Sequence, residues 1–104
     1  MGLKIIYSRF ALRDLKEAYD FISKDSVRYA KQEKRLIKEA IKKLKINPLL
    51  GKTFEKFNEE NTRELIFKNY RIVYDIYENE FIEILTIHHH ARLITNNPAF
   101  KDEE

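Results

Sequence analysis

Apolar residues change their spacing along this chain, and the changes mark out its elements. Residues 3–7, "LKIIY", are short and rich in β-branched side chains, which suit a pleated surface, and read as a strand. From Phe10 to about Lys24, Leu12, Leu15, Tyr19 and Ile22 recur at three- and four-residue intervals, the period of one helix face. Ser8 stands where a hydroxyl can cap that helix. Lys24-Asp25-Ser26 breaks the pattern and offers caps for a second helix. There Val27, Ala30, Ile37, Ile41 and Leu44 fall on one stripe, widened by Leu36 and Ala40. It ends near Asn47, because Pro48 disfavours a helical conformation in the residue before it. So short a link predicts a helical hairpin.

In the second half the period drops to two. "TRELIF" (62–67), "YRIVYDIY" (70–77) and "FIEILTIHHH" (81–90) read as strands, joined by turns at Lys68-Asn69 and Glu78-Asn79-Glu80. "PLLGKTFEKFNEEN" (48–61) reads as a polar connection. The order is β-α-α-β-β-β: an α+β fold with a helical hairpin on one face of a small, mainly antiparallel sheet. Residues 1–95 make one domain, and 96–104 a loosely held acidic tail.

Strand side chains alternate between faces, so Tyr70, Ile72, Tyr74 and Ile76 are expected to meet the helices. Arg71, Val73, Asp75 and Tyr77 then take the uncovered face. A three-residue hairpin loop at 78–80 pairs Tyr77 with Phe81. That predicts Arg71, Ile87 and His89 together on the uncovered face, with His88 and His90 on the other. A two-residue loop would invert the histidines, at the cost of turning Glu83 toward the core.

Composition narrows the function classes. The absence of cysteine excludes a disulfide framework or a thiolate metal site. No apolar run is long enough to cross a membrane, and the charged N-terminus does not resemble a secretory leader, so a cytoplasmic protein is expected. His88 and His90 could share a metal, but no third ligand stands at a recognisable spacing, and neither metal nor cofactor is expected. The net charge is +3, and between Lys31 and Lys45 seven basic residues stand against two acids, Glu33 and Glu39. Such a run suits a nucleic acid, an acidic protein or a solvated helix face.

The segment "TRELIFKNYRIVYDIYENEFIEILTIHHHAR" resembles the C-terminal half of the RelE/ParE superfamily of type II toxin–antitoxin toxins. Members carry an arginine-led strand, a strand of the YRIVY type, and a last strand ending in histidine with an arginine shortly after. Upstream, the strand ending in serine, the "LRDLKEAYDFI" helix and a second helix ending "INPLLGK" are similar as well, so the likeness covers roughly residues 3–92. It implies a toxin neutralised by an antitoxin, with two mechanisms known on the one scaffold. RelE-like members, the YoeB type included, cleave mRNA on the ribosome; ParE-like members poison DNA gyrase. "RELIFKNYRIVY" and Ala91-Arg92 after the histidines look ParE-like. Glu55, Arg71 and His89 fall about where a YoeB-type toxin keeps its acid–base carboxylate, phosphate-binding arginine and C-terminal histidine. His90 stands where that type ends in tyrosine, and this chain runs on beyond it.

Metal-independent RNA cleavage needs a base for the 2′-OH, an acid for the leaving 5′ oxygen, and cations around the transition state. Glu55 as base, His89 as acid and Arg71 as charge stabiliser would supply these, histidine suiting acid duty because its ordinary pKa lies near neutrality. Lys52, Lys56, Arg63 and Arg92 are the expected substrate-binding cations, with Phe54 and Tyr77 as possible stacking surfaces. Against this, Arg71 could simply pair with Asp75 or Glu64. On the Glu55–Arg71–His89 constellation the expectation leans to mRNA cleavage, with gyrase inhibition or an inactive antitoxin-binding relative as the alternatives.

Overall fold

Both helices start where a serine hydroxyl caps them. Ser8 accepts from the Ala11 N–H and Ser26 from the Tyr29 N–H, each satisfying an N–H that the helix itself leaves unpaired. The computed structural model describes residues 3–53, 61–78 and 80–89. In chain order these form β1 (Lys4–Tyr7), α1 (Arg9–Ser23), α2 (Val27–Lys42), β2 (Lys52–Thr53), β3 (Thr62–Phe67), β4 (Tyr70–Tyr77) and β5 (Phe81–His89). Short 3-10 turns at Lys43–Lys45 and Pro48–Leu50 join α2 to β2. No helix among the described residues is long and apolar enough to cross a membrane.

The strands form one mixed sheet in the order β1-β5-β4-β3-β2. β1 lies parallel to β5, and every other pairing is antiparallel. The helices pack on one face. Ala11, Leu15 and Ala18 of α1, with Ile37, Ile41 and Leu44 of α2 and the turn after it, bury against Tyr70, Ile72, Tyr74, Ile82, Ile84 and Ile87. Each large apolar side chain taken from water in this layer contributes about 1.5–3 kcal/mol. Two residues placed by period on the core stripes are not in it. Leu12 and Val27 are each about half exposed, 53% and 52%. In α1 the neighbouring Ala11 is buried in place of Leu12, while in α2 Val27 is the first helical residue and the rest of its stripe, from Ala30 to Leu44, is buried as expected.

β1 is shorter than β5 and leaves the end of β5 without a strand partner. α1 supplies one. The Asp14 carboxylate accepts hydrogen bonds from the Ile87 N–H (2.9 Å) and the Thr86 hydroxyl, while Ser8 Oγ donates to the Leu85 carbonyl at 2.7 Å. A helix carboxylate thus does for this edge what a neighbouring strand would do.

Candidate functional site

Those same contacts hold the feature that arranges the site. From the hairpin loop upward, Tyr77 pairs with Phe81, Asp75 with Glu83 and Tyr74 with Ile84, as a three-residue loop dictates. Val73 then pairs with Thr86, leaving Leu85 as an extra residue in β5, a β-bulge. Above it every pairing is shifted by one: Ile72 faces Ile87, Arg71 faces His88 and Tyr70 faces His89. The expectation that Arg71, Ile87 and His89 share the uncovered face is therefore corrected. His88 lies beside Arg71, and Ile87 and His89 are on the helix side. A parity change in the apolar pattern carries the signal, since Ile82 and Ile84 are even and Ile87 is odd, with Leu85 doubled between them.

On the uncovered face Arg71 is half exposed, and its Nε forms an ion pair with Glu64 Oε1 at 3.2 Å. Glu64 is the diagonal neighbour on β3, because Val73 is its direct partner and Ile66 that of Arg71. Of the two acids considered for Arg71 it is therefore Glu64 that pairs, while Asp75 accepts a hydrogen bond from the Thr62 hydroxyl. Lys52 of β2 is exposed and is the direct cross-strand partner of Glu64 on β3, on the same face. At the hairpin end Tyr77 stacks on Phe81, centroids 4.4 Å apart, and its hydroxyl lies 3.4 Å from Glu83. The Tyr77 ring is thus packed on its neighbour across the hairpin.

His89 lies in a different environment. Its ring stacks on Tyr70 at 4.6 Å, nearly parallel, and meets Phe21 of α1 edge-on at 6.4 Å. The Tyr70 phenol in turn feels the charge of Glu33, a buried carboxylate on α2 to which Lys68 donates a hydrogen bond at 2.9 Å. Lys68 takes the left-handed conformation (φ 55°) that the two-residue turn demands. This hydrogen bond raises the Lys68 pKa. Burial, reinforced by the negative charge of Glu33, pushes the Tyr70 phenol up to about 12. An unfolded tyrosine ionises near 10, so above that pH the unfolded chain gives up its proton first. The Tyr70 contribution is thus complete below pH 10 and is lost as pH rises to about 12. In urea unfolding across that window, Tyr70→Phe should flatten the alkaline fall in stability relative to wild type.

Arg63, expected to bind substrate, is tied into the fold. It faces the helix side opposite Tyr74, and its Nη1 donates to the Gly51 carbonyl at 2.9 Å. The Gly51 N–H donates to the Tyr74 hydroxyl (2.9 Å), which donates to the Pro48 carbonyl (2.7 Å). Burial raises the Tyr74 pKa, against the hydrogen bond from Gly51 and the charge of Arg63, which lower it. Of the expected site residues, then, Arg71 and Lys52 share the uncovered face, and Arg63 and His89 the helix face. Glu55, Lys56, Arg92, His90 and Phe54 lie outside the described residues. Glu64 is the partner weighed for Arg71, whereas Asp14 and Glu33, which hold β5 and the Lys68 turn, are not among the sequence candidates. Nothing in a lone carboxylate's sequence context reveals that the fold will bury it.

A five-stranded mixed sheet with a helical pair on one face defines an α+β fold. A family model described as the ParE toxin of the type II toxin–antitoxin system parDE matches residues 5–94, and the chain belongs to that family. Three solved structures share the fold. The chromosomal ParDE toxin–antitoxin system from P. aeruginosa superposes with a TM-score of 0.70 at 22% identity, covering 85% of this chain and 96% of that one. The RelBE2 toxin–antitoxin complex from Mycobacterium tuberculosis gives 0.60 at 22% identity, covering 86% and 99%. The YoeB dimer from Staphylococcus aureus gives 0.59 at 22% identity, with the same coverage of 86% and 99%. No curated protein matches the sequence.

Proposed function

We propose that this chain, a type II toxin, acts by binding and inhibiting DNA gyrase and does not cleave mRNA. The ParE family model carries the choice, and the Leu85 bulge removes the expected His89 from Arg71. The bulge places Arg71 on the uncovered face and His89 between Tyr70 and Phe21 on the helix face. An acid and a phosphate-binding cation must converge on one scissile bond, and residues on opposite faces of a sheet do not. Arg71 is further occupied by Glu64. The ParE family model, spanning residues 5–94, favours the same mechanism.

A cognate antitoxin is the expected partner, since two structural relatives are described as toxin–antitoxin assemblies. Exposed Phe10 and Leu12 on α1 offer apolar purchase for a segment that orders as it binds. The compartment would be the cytoplasm, where gyrase works.

The second reading, ribosome-dependent mRNA cleavage, draws on one observation: Arg71 and His88 are direct cross-strand partners on the uncovered face. A nuclease would then use His88 as the acid. The two readings separate on the double variant Arg71→Ala/His88→Ala, expressed without antitoxin. Growth inhibition is expected to fall by no more than about threefold, with no cuts in mapped transcripts. A loss of a hundredfold or more, of the size that removing an acid catalyst brings, together with transcript cuts in wild type, would favour the nuclease.

A further inference from the structure

The exposed face of α2 carries a row of cations that neither the core nor the uncovered sheet face uses. Lys31, Lys34, Lys38 and Lys42 follow one another at three- and four-residue intervals, and all four are exposed. On a helix such positions fall in line. The row is about 16 Å long, with steps of about 6 Å between residues four apart. Of the two acids in this stretch, Glu33 is buried against Lys68, and Glu39 is held by Arg35 at 2.9 Å. Among the described residues no carboxylate lies within ion-pairing distance of the four lysines, so their charge is directed outward. On one side the row borders a shallow groove completed by Tyr19 of α1, whose ring lies 5.7 Å from Lys34 Nζ. On the other, Lys38 and Lys42 border a second groove with Lys4 of β1 and Lys45.

We infer that this face of α2 is a docking surface for the phosphate backbone of double-stranded DNA. An acidic protein partner is the competing occupant, and the composition argues against it. Stable protein interfaces centre on apolar or aromatic anchors and are depleted in lysine. Here the exposed positions of α2 from Lys31 to Lys42 are all polar or charged, and the exposed Val27 and Tyr29 are confined to its first turn. A single-stranded nucleic acid is best held by several stacking platforms. This face offers one aromatic ring, half-buried and already covered by Lys34. A row of outward point charges along one helix face instead matches a backbone that presents a run of phosphates. Lysines contacting phosphates give affinity without sequence preference. The surface lies apart from the Arg71 face, so the inference stands whether or not gyrase is the target.

The test is fluorescence anisotropy with the full chain and a labelled duplex two helical turns long, titrated across salt from about 50 to 200 mM. Each phosphate contact contributes about −0.9 to the slope of log K against log salt. Wild type should therefore give a slope of roughly −3 to −4 for four contacts. The variant Lys34→Gln/Lys38→Gln/Lys42→Gln should melt as wild type does, bind at least tenfold more weakly, and lose about 2.7 from the slope. Lys16→Gln/Lys24→Gln, which removes two cations elsewhere on the surface, should change binding by less than about twofold. The inference is overturned if the duplex does not bind at the lowest salt, or if the triple variant binds like wild type. It is equally overturned if single-stranded RNA binds more tightly than the duplex. Displacement of the duplex by polyglutamate at equal charge would assign the face to an acidic protein instead.

Discussion

Gly51→Ala should destabilise the protein by about 3 kcal/mol, at the upper end of the range for forcing atoms into a packed interior. A Cβ at this position would lie 2.6 Å from the Glu64 carbonyl oxygen and 2.7 Å from the Tyr74 hydroxyl. Its φ of −78° is open to any residue, so it is space and not conformation that requires glycine. Neither obstacle yields easily. Glu64 belongs to β3, whose pairing with β4 fixes its carbonyl, and Tyr74 is fully buried and bonded to Pro48. In a domain of this size the loss corresponds to a fall in Tm of roughly 15 °C, measurable by thermal unfolding. Because Gly51 also takes the Arg63 hydrogen bond, the variant should loosen the connection between the 3-10 turn at Pro48–Leu50 and β2. A Tm within a few degrees of wild type would mean that this connection moves aside freely.

The second large effect concerns His89 and separates packing from chemistry. His89→Ala removes the ring stacked on Tyr70 and edge-on to Phe21 and should cost about 2 kcal/mol, from lost burial and lost ring contacts. His89→Phe keeps an aromatic ring in that slot and should recover most of the stability. Phenylalanine carries no transferable proton. If His89 were the acid of a nuclease, His89→Phe would be stable and inactive. If the ring holds β5 against α1 and Tyr70, the variant should inhibit growth nearly as well as wild type. Urea unfolding of both variants, read beside growth inhibition at matched expression, distinguishes the two.

The contrast between those outcomes shows where the sequence was informative. Helix positions were legible because Ser8 and Ser26 are strong local caps and the apolar period is regular. Strand spans were legible for the same reason: 62–67 and 70–77 coincide with β3 and β4, and the three-residue loop with Tyr77 opposite Phe81 is as expected. β2 was not legible. Two residues carry no period, and Lys52–Thr53 is a strand only because β3 runs beside it. The parallel placement of β1 beside β5 likewise depends on a partner far along the chain. Leu85 had the largest consequence. Within "ILTI" strict alternation carries every side chain forward without interruption, whereas Ser8 and Asp14, more than 70 residues away, hold the extra residue in place. One residue of slip exchanges His88 for His89 beside Arg71, so the most functionally suggestive grouping in the sequence rested on its least local feature.

In the mechanism proposed above, this toxin occupies a protein target and cuts no RNA. The most direct measurement is supercoiling of relaxed plasmid by purified DNA gyrase in the presence of the purified chain. Supercoiling should cease as toxin approaches stoichiometry with gyrase, with Arg71→Ala/His88→Ala equally effective. Undiminished supercoiling at a large excess of folded toxin would contradict it.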